Sequence, residues 1–182
     1  CLVYGLLALA LWLLVEVLLG RRLADRREVV AVDMRNHGDS PRAESQSYAD
    51  MAGDLAEVIK DIGAPVDVMG HSMGGKTAMQ LALTEGALIR RLIVADIAPV
   101  AYSHDQSRHI DAMRALDLTG LTTRAEADFR LQALVPDPEL RAFFLQSLDL
   151  KAQGGPRWRL NLDVLEAEMP KIVGWPGTSG QF

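Results

Sequence analysis

The chain has few of the residues that disulfide frameworks, thiolate metal sites and nucleic-acid surfaces require. Its 182 residues include a single cysteine, Cys1, so no disulfide can close within the chain and no thiolate cluster can bind a metal. The net charge is −5, and acidic and basic residues are interspersed. A protein that neutralises a phosphate backbone needs a basic stripe instead. The composition therefore excludes a disulfide scaffold and argues against nucleic acid as a partner.

Residues 1–20 differ from the rest of the chain. They are apolar apart from Glu16, and Arg21 and Arg22 follow them. The length suits a membrane-spanning helix with a positive flank, but the charged start and cleavage site of a signal peptide are lacking. Two alternatives stay open: a cytoplasmic protein in which residues 1–20 are not native family sequence, or a protein anchored in the membrane through them.

From residue 28 onward, short β-branched runs alternate with helical patterns. The runs that predict buried strands are 28–33, 66–69 and 92–97. A capping box at Ser47 opens one helical pattern, and a second runs from Lys76 to about Glu85. Crossovers of this length join parallel strands. The sequence predicts an α/β fold, in which helices cover both faces of a mostly parallel sheet.

Between residues 99 and 173 the pattern changes to successive helices without a strand. Apolar spacing predicts helices near 110–116, 123–134, 138–148 and 161–172. Inserted helices of this kind usually cover a site. Several of their large apolar side chains could line a pocket, although core packing is the commoner role of such residues: Met113, Phe129, Phe143, Phe144, Leu145 and Trp158.

The chemistry of the chain is indicated by Gly70-His71-Ser72-Met73-Gly74, which matches G-x-S-x-G between a predicted strand and a predicted helix. A serine on such a sharp turn has a strained backbone and needs small residues two positions before and after it. The helix that follows favours developing negative charge. We predict that Ser72 is a nucleophile and that the Met73 N–H is one of two oxyanion donors.

This motif and other segments together resemble the YbfF-like esterases of the α/β-hydrolase superfamily. The segments that carry the resemblance, in order, are 32–41, 70–76, 95–100, 158–162 and 172–176. The resemblance begins at Arg21 and runs to Phe182, which favours a misplaced start over a membrane anchor for residues 1–20. It implies an α/β-hydrolase core over 21–98, a helical cap over 99–173 and a return to the core over 174–182.

The resemblance also implies a catalytic triad of serine, acid and histidine. Asp96 matches the acid that this family takes from the end of the strand after the nucleophile helix, although many relatives take it from a later strand. From the residues alone, Asp96 could equally cap a loop. None of the four histidines, His37, His71, His104 and His109, matches the family's general base. We expect that base beyond Phe182 and the second oxyanion donor in a loop before Arg21, so that the fold is incomplete at both ends.

The function implied is that of a serine hydrolase that cleaves carboxylic esters or thioesters of small acyl groups through an acyl-enzyme. The mechanism requires no metal and no organic cofactor, and the partner is a small-molecule ester. Other reactions of the same scaffold stay open, such as those of a cofactor-free haloperoxidase, a C–C bond hydrolase or an amidase. A noncatalytic remnant that keeps only the cap and the serine turn is the alternative outside enzymes.

Overall fold

The computed structural model describes residues 20–103 and 106–182. The chain forms two compact units. One, the sheet unit, contains 34–107 and 161–182, and the other, the helical unit, contains 108–160 and, of the preceding described residues, 20–33. Both alternatives for residues 1–20, sequence foreign to the family or a membrane anchor, concern a segment that lies outside the described residues apart from Gly20, and His104 also lies outside them. In the part of the chain that the structure describes, no helix has the length and apolar character to cross a bilayer.

The sheet unit begins with two helices and two strands. In chain order they are α1 (Tyr48–Ile62), β1 (Val66–His71), α2 (Met73–Glu85) and β2 (Ile89–Ala95), with a 3₁₀ turn at Gly86–Leu88. Strands β1 and β2 pair in parallel, and His71 at the end of β1 lies opposite Ala95 at the end of β2. The predicted parallel α/β arrangement is confirmed, because α2 supplies the crossover that a parallel pair needs.

Local signals in the sequence set the ends of α1. The Ser47 side chain accepts a hydrogen bond from the Asp50 N–H at 3.2 Å, which confirms the predicted cap. Gly63, at φ 97°, ends the helix and donates its N–H to the Ile59 carbonyl at 3.1 Å. One face of α1 then packs with α2 and β1 in the core, which consists of Ala52, Ala56, Ile59, Val68, Ala78, Leu81, Ala82 and Ile89.

The strand predicted at 28–33 is wrong. This segment is irregular, and its valines Val29, Val30 and Val32 are 42%, 47% and 40% exposed. A β-branched run forms a strand only when a neighbouring strand accepts and donates its backbone hydrogen bonds. Among the described residues, no strand pairs with it.

The helical unit is built mainly from α3 (Ser107–Ala115), α4 (Arg124–Leu131) and α5 (Pro138–Gln146). The expectation that no strand interrupts these helices is wrong, since β3 (Leu148–Asp149) and β4 (Arg157–Trp158) form a short antiparallel pair. Trp158 donates its indole N–H to the Met113 carbonyl at 2.8 Å. Four of the apolar side chains considered above as pocket walls are buried core residues: Met113, Phe144, Leu145 and Trp158.

The single helix predicted at 161–172 is two helices, α6 (Leu162–Ala167) and α7 (Met169–Val173), and both belong to the sheet unit. Glu168 lies between them, and its N–H bonds to the Val164 carbonyl at 2.9 Å. Pro170 has no N–H to continue the ladder of α6, and it lies in the first turn of the new helix, which begins at Met169. The boundaries of the cap, 99–173, stay a prediction.

Candidate active site

Ser72 occupies the turn between the last residue of β1 and the first residue of α2. Its backbone angles are φ 50° and ψ −119°, a combination that residues with a side chain rarely adopt. Backbone strain of this kind costs ~1–3 kcal/mol and persists only where the surrounding structure enforces it. The strained serine predicted from the sequence is therefore present.

Hydrogen bonds and close packing hold this turn in place. The Ser72 N–H donates to the Ala95 carbonyl of β2 at 3.2 Å, and the Ser72 carbonyl accepts the Lys76 N–H at 3.1 Å. A Cβ atom on Gly70 would lie 2.3 Å from the Gly74 carbonyl oxygen. The start of α2 thus lies directly against the end of β1, and only glycine fits at position 70.

A second position near Ser72 also has no room for a Cβ atom, but it is not the one that the sequence indicated. We expected a small residue two positions after Ser72, but a Cβ on Gly74 would meet no atom within 4 Å. The next residue is the crowded one, because a Cβ on Gly75 would lie 2.7 Å from Ile97 Cγ2. The start of α2 turns position 75, not 74, toward the sheet. The adjacent glycines in the sequence were compatible with either assignment.

Replacing Ser72 by glycine should stabilise the protein. Glycine adopts the backbone angles of this turn without the penalty that a side chain adds, so we expect the free energy of unfolding to rise by ~1 kcal/mol. Urea-induced unfolding followed by circular dichroism measures this change. A loss of stability in Ser72→Gly would contradict the assignment of strain to this residue.

Gly70→Ala and Gly74→Ala form a matched pair with opposite expectations. The new methyl group at position 70 collides with backbone, so we expect a loss of roughly 3 kcal/mol in the free energy of unfolding. At position 74 there is open space in a helix, where alanine is favoured over glycine, so stability should stay within ~1 kcal/mol of the unsubstituted protein or rise. Equal effects in the same urea titration would contradict the packing described for the turn.

Met73 carries the main-chain N–H that the sequence predicts as an oxyanion donor, and this assignment stays a prediction. Met73 is the first residue of α2, and N–H groups in the first turn of a helix have no partner within that helix. Its side chain lies beside Gln46, which is fully buried and whose Nε2 is 3.7 Å from Met73 Sδ. Gln46 was not identified from the sequence, because an isolated glutamine in a loop carries no signal.

Asp96 follows β2 directly, as Ser72 follows β1, and it also has a positive φ, 54°. Because His71 and Ala95 are paired, the two parallel strands bring Ser72 and Asp96 to the same edge of the sheet. The Asp96 side chain is 65% exposed, and its Oδ2 lies 3.8 Å from Nε2 of His71. The structure therefore brings together the two residues that the sequence suggested as nucleophile and acid.

The remaining described histidines lie in other settings. His37 Nδ1 is 2.9 Å from the Arg35 carbonyl oxygen in the early loop. His109 belongs to α3 in the helical unit, with its ring centroid 5.4 Å from that of Phe144, and burial lowers its pKa. The identity of the general base stays a prediction.

Comparison with known proteins places this geometry in a family. The sequence pattern of the Alpha/beta hydrolase family matches residues 9–179, and the chain belongs to that family. It is 39% identical over 157 residues to the sn-1-specific diacylglycerol lipase ABHD11 of Mus musculus, a match that covers 82% of this chain and 51% of the mouse protein. It is 35% identical over 163 residues to the esterase YbfF of Escherichia coli, covering 86% of this chain and 61% of that protein.

A solved structure shows the same arrangement. The esterase of a marine microorganism superimposes with a TM-score of 0.80 at 36% sequence identity, over 89% of this chain and 64% of that one. The predicted fold and the resemblance to esterases are confirmed. The chain spans between about half and two thirds of the length of these three relatives.

Proposed function

We propose that this protein is a serine hydrolase that cleaves carboxylic esters or thioesters of small acyl groups through an acyl-enzyme on Ser72. The observation that carries the proposal is the strained backbone of Ser72, at φ 50°, enforced by the close approach of Gly70 to the start of α2. Strain that the surroundings enforce is concentrated at active sites. It holds the serine hydroxyl at the carboxyl edge of the sheet, where the ligands of α/β folds bind.

The first half of the reaction forms the acyl-enzyme. The Ser72 hydroxyl oxygen attacks the carbonyl carbon of the ester while its proton passes to a histidine base, and the carbonyl oxygen becomes an oxyanion. The Met73 N–H at the start of α2 donates to that oxyanion, and the positive end of the helix dipole adds to its stabilisation. The bond to the leaving alcohol or thiol then breaks, and the histidine returns the proton to it.

The second half regenerates the enzyme. A water molecule gives a proton to the same histidine and attacks the acyl carbon, and the acid leaves as the proton returns to Ser72. Asp96 orients the histidine and stabilises its charged form, a role that suits a carboxylate at the strand end next to Ser72. The chain spans 51% of the mouse relative, and we expect the base histidine in a part of the protein outside residues 1–182.

The names of two relatives support carboxylic esters as the substrate class. The mouse relative is named a diacylglycerol lipase and the Escherichia coli relative an esterase, and both names describe hydrolysis of an ester bond to an acyl group. Neither name gives the size of the acyl group, so small acyl groups are part of the proposal and do not follow from the relatives.

A substrate panel tests the proposal on the protein expressed together with the segment that carries the base histidine. Release of p-nitrophenol from p-nitrophenyl acetate and butyrate is compared with thiol release from acyl thioesters, with cleavage of acyl p-nitroanilides, and with halide oxidation by peroxide. We expect turnover of esters or thioesters and little turnover of anilides, since an amide has the poorer leaving group. Preferential cleavage of anilides, or halide oxidation without ester hydrolysis, would overturn the proposal in favour of another reaction of the fold.

A further inference from the structure

A buried lysine lies one helical turn after Ser72. Lys76 of α2 is 1% exposed, and lysine is almost never buried unless its charge is partnered. Its Nζ donates to the Val173 carbonyl at 3.1 Å and to the Gly174 carbonyl at 2.5 Å. Val173 is the last residue of α7 and Gly174 follows it, so no further turn of helix donates N–H groups to these carbonyls.

Two tyrosine rings enclose the same ammonium group. Its Nζ lies 4.8 Å from the ring centroid of Tyr102 and 5.6 Å from that of Tyr48, both within the range of a cation–π interaction. Tyr48 donates its hydroxyl to the Ile172 carbonyl at 2.6 Å. The Tyr102 N–H donates to the Val173 carbonyl at 2.9 Å. Lysine, both tyrosines and the end of α7 thus form one connected cluster.

The cluster reaches the loop that carries Asp96. The Tyr102 hydroxyl accepts a hydrogen bond from the main-chain N–H of Ala98 at 3.1 Å, and Ala98 is two residues after Asp96. The main chain of Lys76 bonds to Ser72 on its other side, through the N–H that donates to the Ser72 carbonyl at 3.1 Å. Lys76 therefore connects the turn that carries Ser72 with the loop that carries Asp96.

A buried charge contributes little to stability, because the free energy lost when it leaves water can exceed the free energy gained from its partners. Burial lowers the pKa of Lys76 accordingly. A hydrophobic residue of similar volume would fill the space at lower cost. The contacts of the Lys76 ammonium group with two carbonyls and two rings point instead to a role in holding the segments that carry them in place.

We propose that Lys76 is a positioning residue, which holds the loop of Asp96 and the end of α7 in register with Ser72. Its effect on catalysis rests on the proposed function, whereas its effect on the loop does not. The two effects are measured separately.

Amide hydrogen exchange, followed by mass spectrometry, measures the effect on the loop. In Lys76→Met we expect the amides of 96–102 and 172–175 to exchange about tenfold faster or more, with those of α1 unchanged. Lys60→Met is the control, because Lys60 is a surface residue of α1, half exposed and paired with Glu85, and it should leave these segments unchanged. Unchanged exchange at 96–102, or equal acceleration throughout the chain, would overturn the proposal.

Tyr102→Phe tests the link from Lys76 to the loop of Asp96 separately from its link to the end of α7. It keeps the ring beside Lys76 and removes only the acceptor of the Ala98 N–H. We expect faster exchange at 96–98 and no change at 172–175. Faster exchange at both segments would contradict the proposal, because it would show that the end of α7 depends on the Tyr102 hydroxyl and is not held by Lys76.

A double-mutant cycle measures the effect on catalysis, with the rate of fluorophosphonate labelling of Ser72 as the readout. Lys76→Met should slow labelling about tenfold to a hundredfold, and the same substitution in an Asp96→Asn background should slow it no further. If the two substitutions slowed labelling independently, so that their fold-changes multiplied in the double variant, the positioning role would be overturned. If the unsubstituted protein is not labelled, the proposed function fails, and the exchange results decide the role of Lys76 alone.

Discussion

Replacing Ser72 by alanine is expected to lower kcat for ester hydrolysis by about 10⁴- to 10⁶-fold, which is the effect of removing the nucleophile in other serine hydrolases. The alanine keeps the main-chain N–H of Met73 and leaves the turn between β1 and α2 intact, so substrate binding should persist. The expected change therefore falls on kcat and not on KM. Initial rates of p-nitrophenyl ester hydrolysis over a range of substrate concentrations measure both.

Ser147→Ala is the matched control, since it makes the same substitution in the helical unit at the end of α5. Its rate should stay close to that of the unsubstituted protein. If Ser72→Ala kept more than about a hundredth of the activity, covalent catalysis through this serine would be refuted.

Asp96→Asn should lower kcat by about 10³- to 10⁴-fold, because an amide in place of the carboxylate neither holds the histidine in the productive tautomer nor stabilises its charge. The fold should survive the change. Asparagine, like aspartate, tolerates the positive φ of this position better than most residues do, and the side chain is mostly exposed. A loss of activity without a loss of stability is therefore the expected signature, measured by kinetics and thermal unfolding together.

Asp67→Asn is the control carboxylate. Asp67 lies at the start of β1 and pairs with Arg90 at 2.8 Å, so its loss should leave kcat unchanged. If Asp96→Asn were as active as this control, Asp96 would serve only as a partner of His71, and the acid would come from another strand.

The elements that the sequence predicted best are those that short-range signals define. The Ser47 cap and Gly63 fix both ends of α1 through bonds within a few residues, and the serine turn depends on residues adjacent to Ser72. The parallel pairing followed from the alternation of strands and helices, since few connections can join such elements.

The features that the sequence did not reveal depend on distant partners. The run at 28–33 has the composition of a strand, but strand formation depends on a neighbour that composition does not specify. The burial of Lys76 depends on carbonyls at Val173 and Gly174, close to a hundred residues away. The lack of room for a Cβ atom at Gly75, and not at Gly74, depends on Ile97, the residue after Asp96. Each is a tertiary contact, which single-sequence patterns do not encode.

The central claim, that Ser72 is an activated nucleophile, is tested most directly by intact-mass analysis after exposure to a fluorophosphonate probe. We predict that the protein, expressed together with the segment that carries its base histidine, gains the mass of one phosphonyl group and that its Ser72→Ala variant gains none. Equal labelling of Ser72→Ala, or no labelling of an unsubstituted protein shown to be folded, would contradict it.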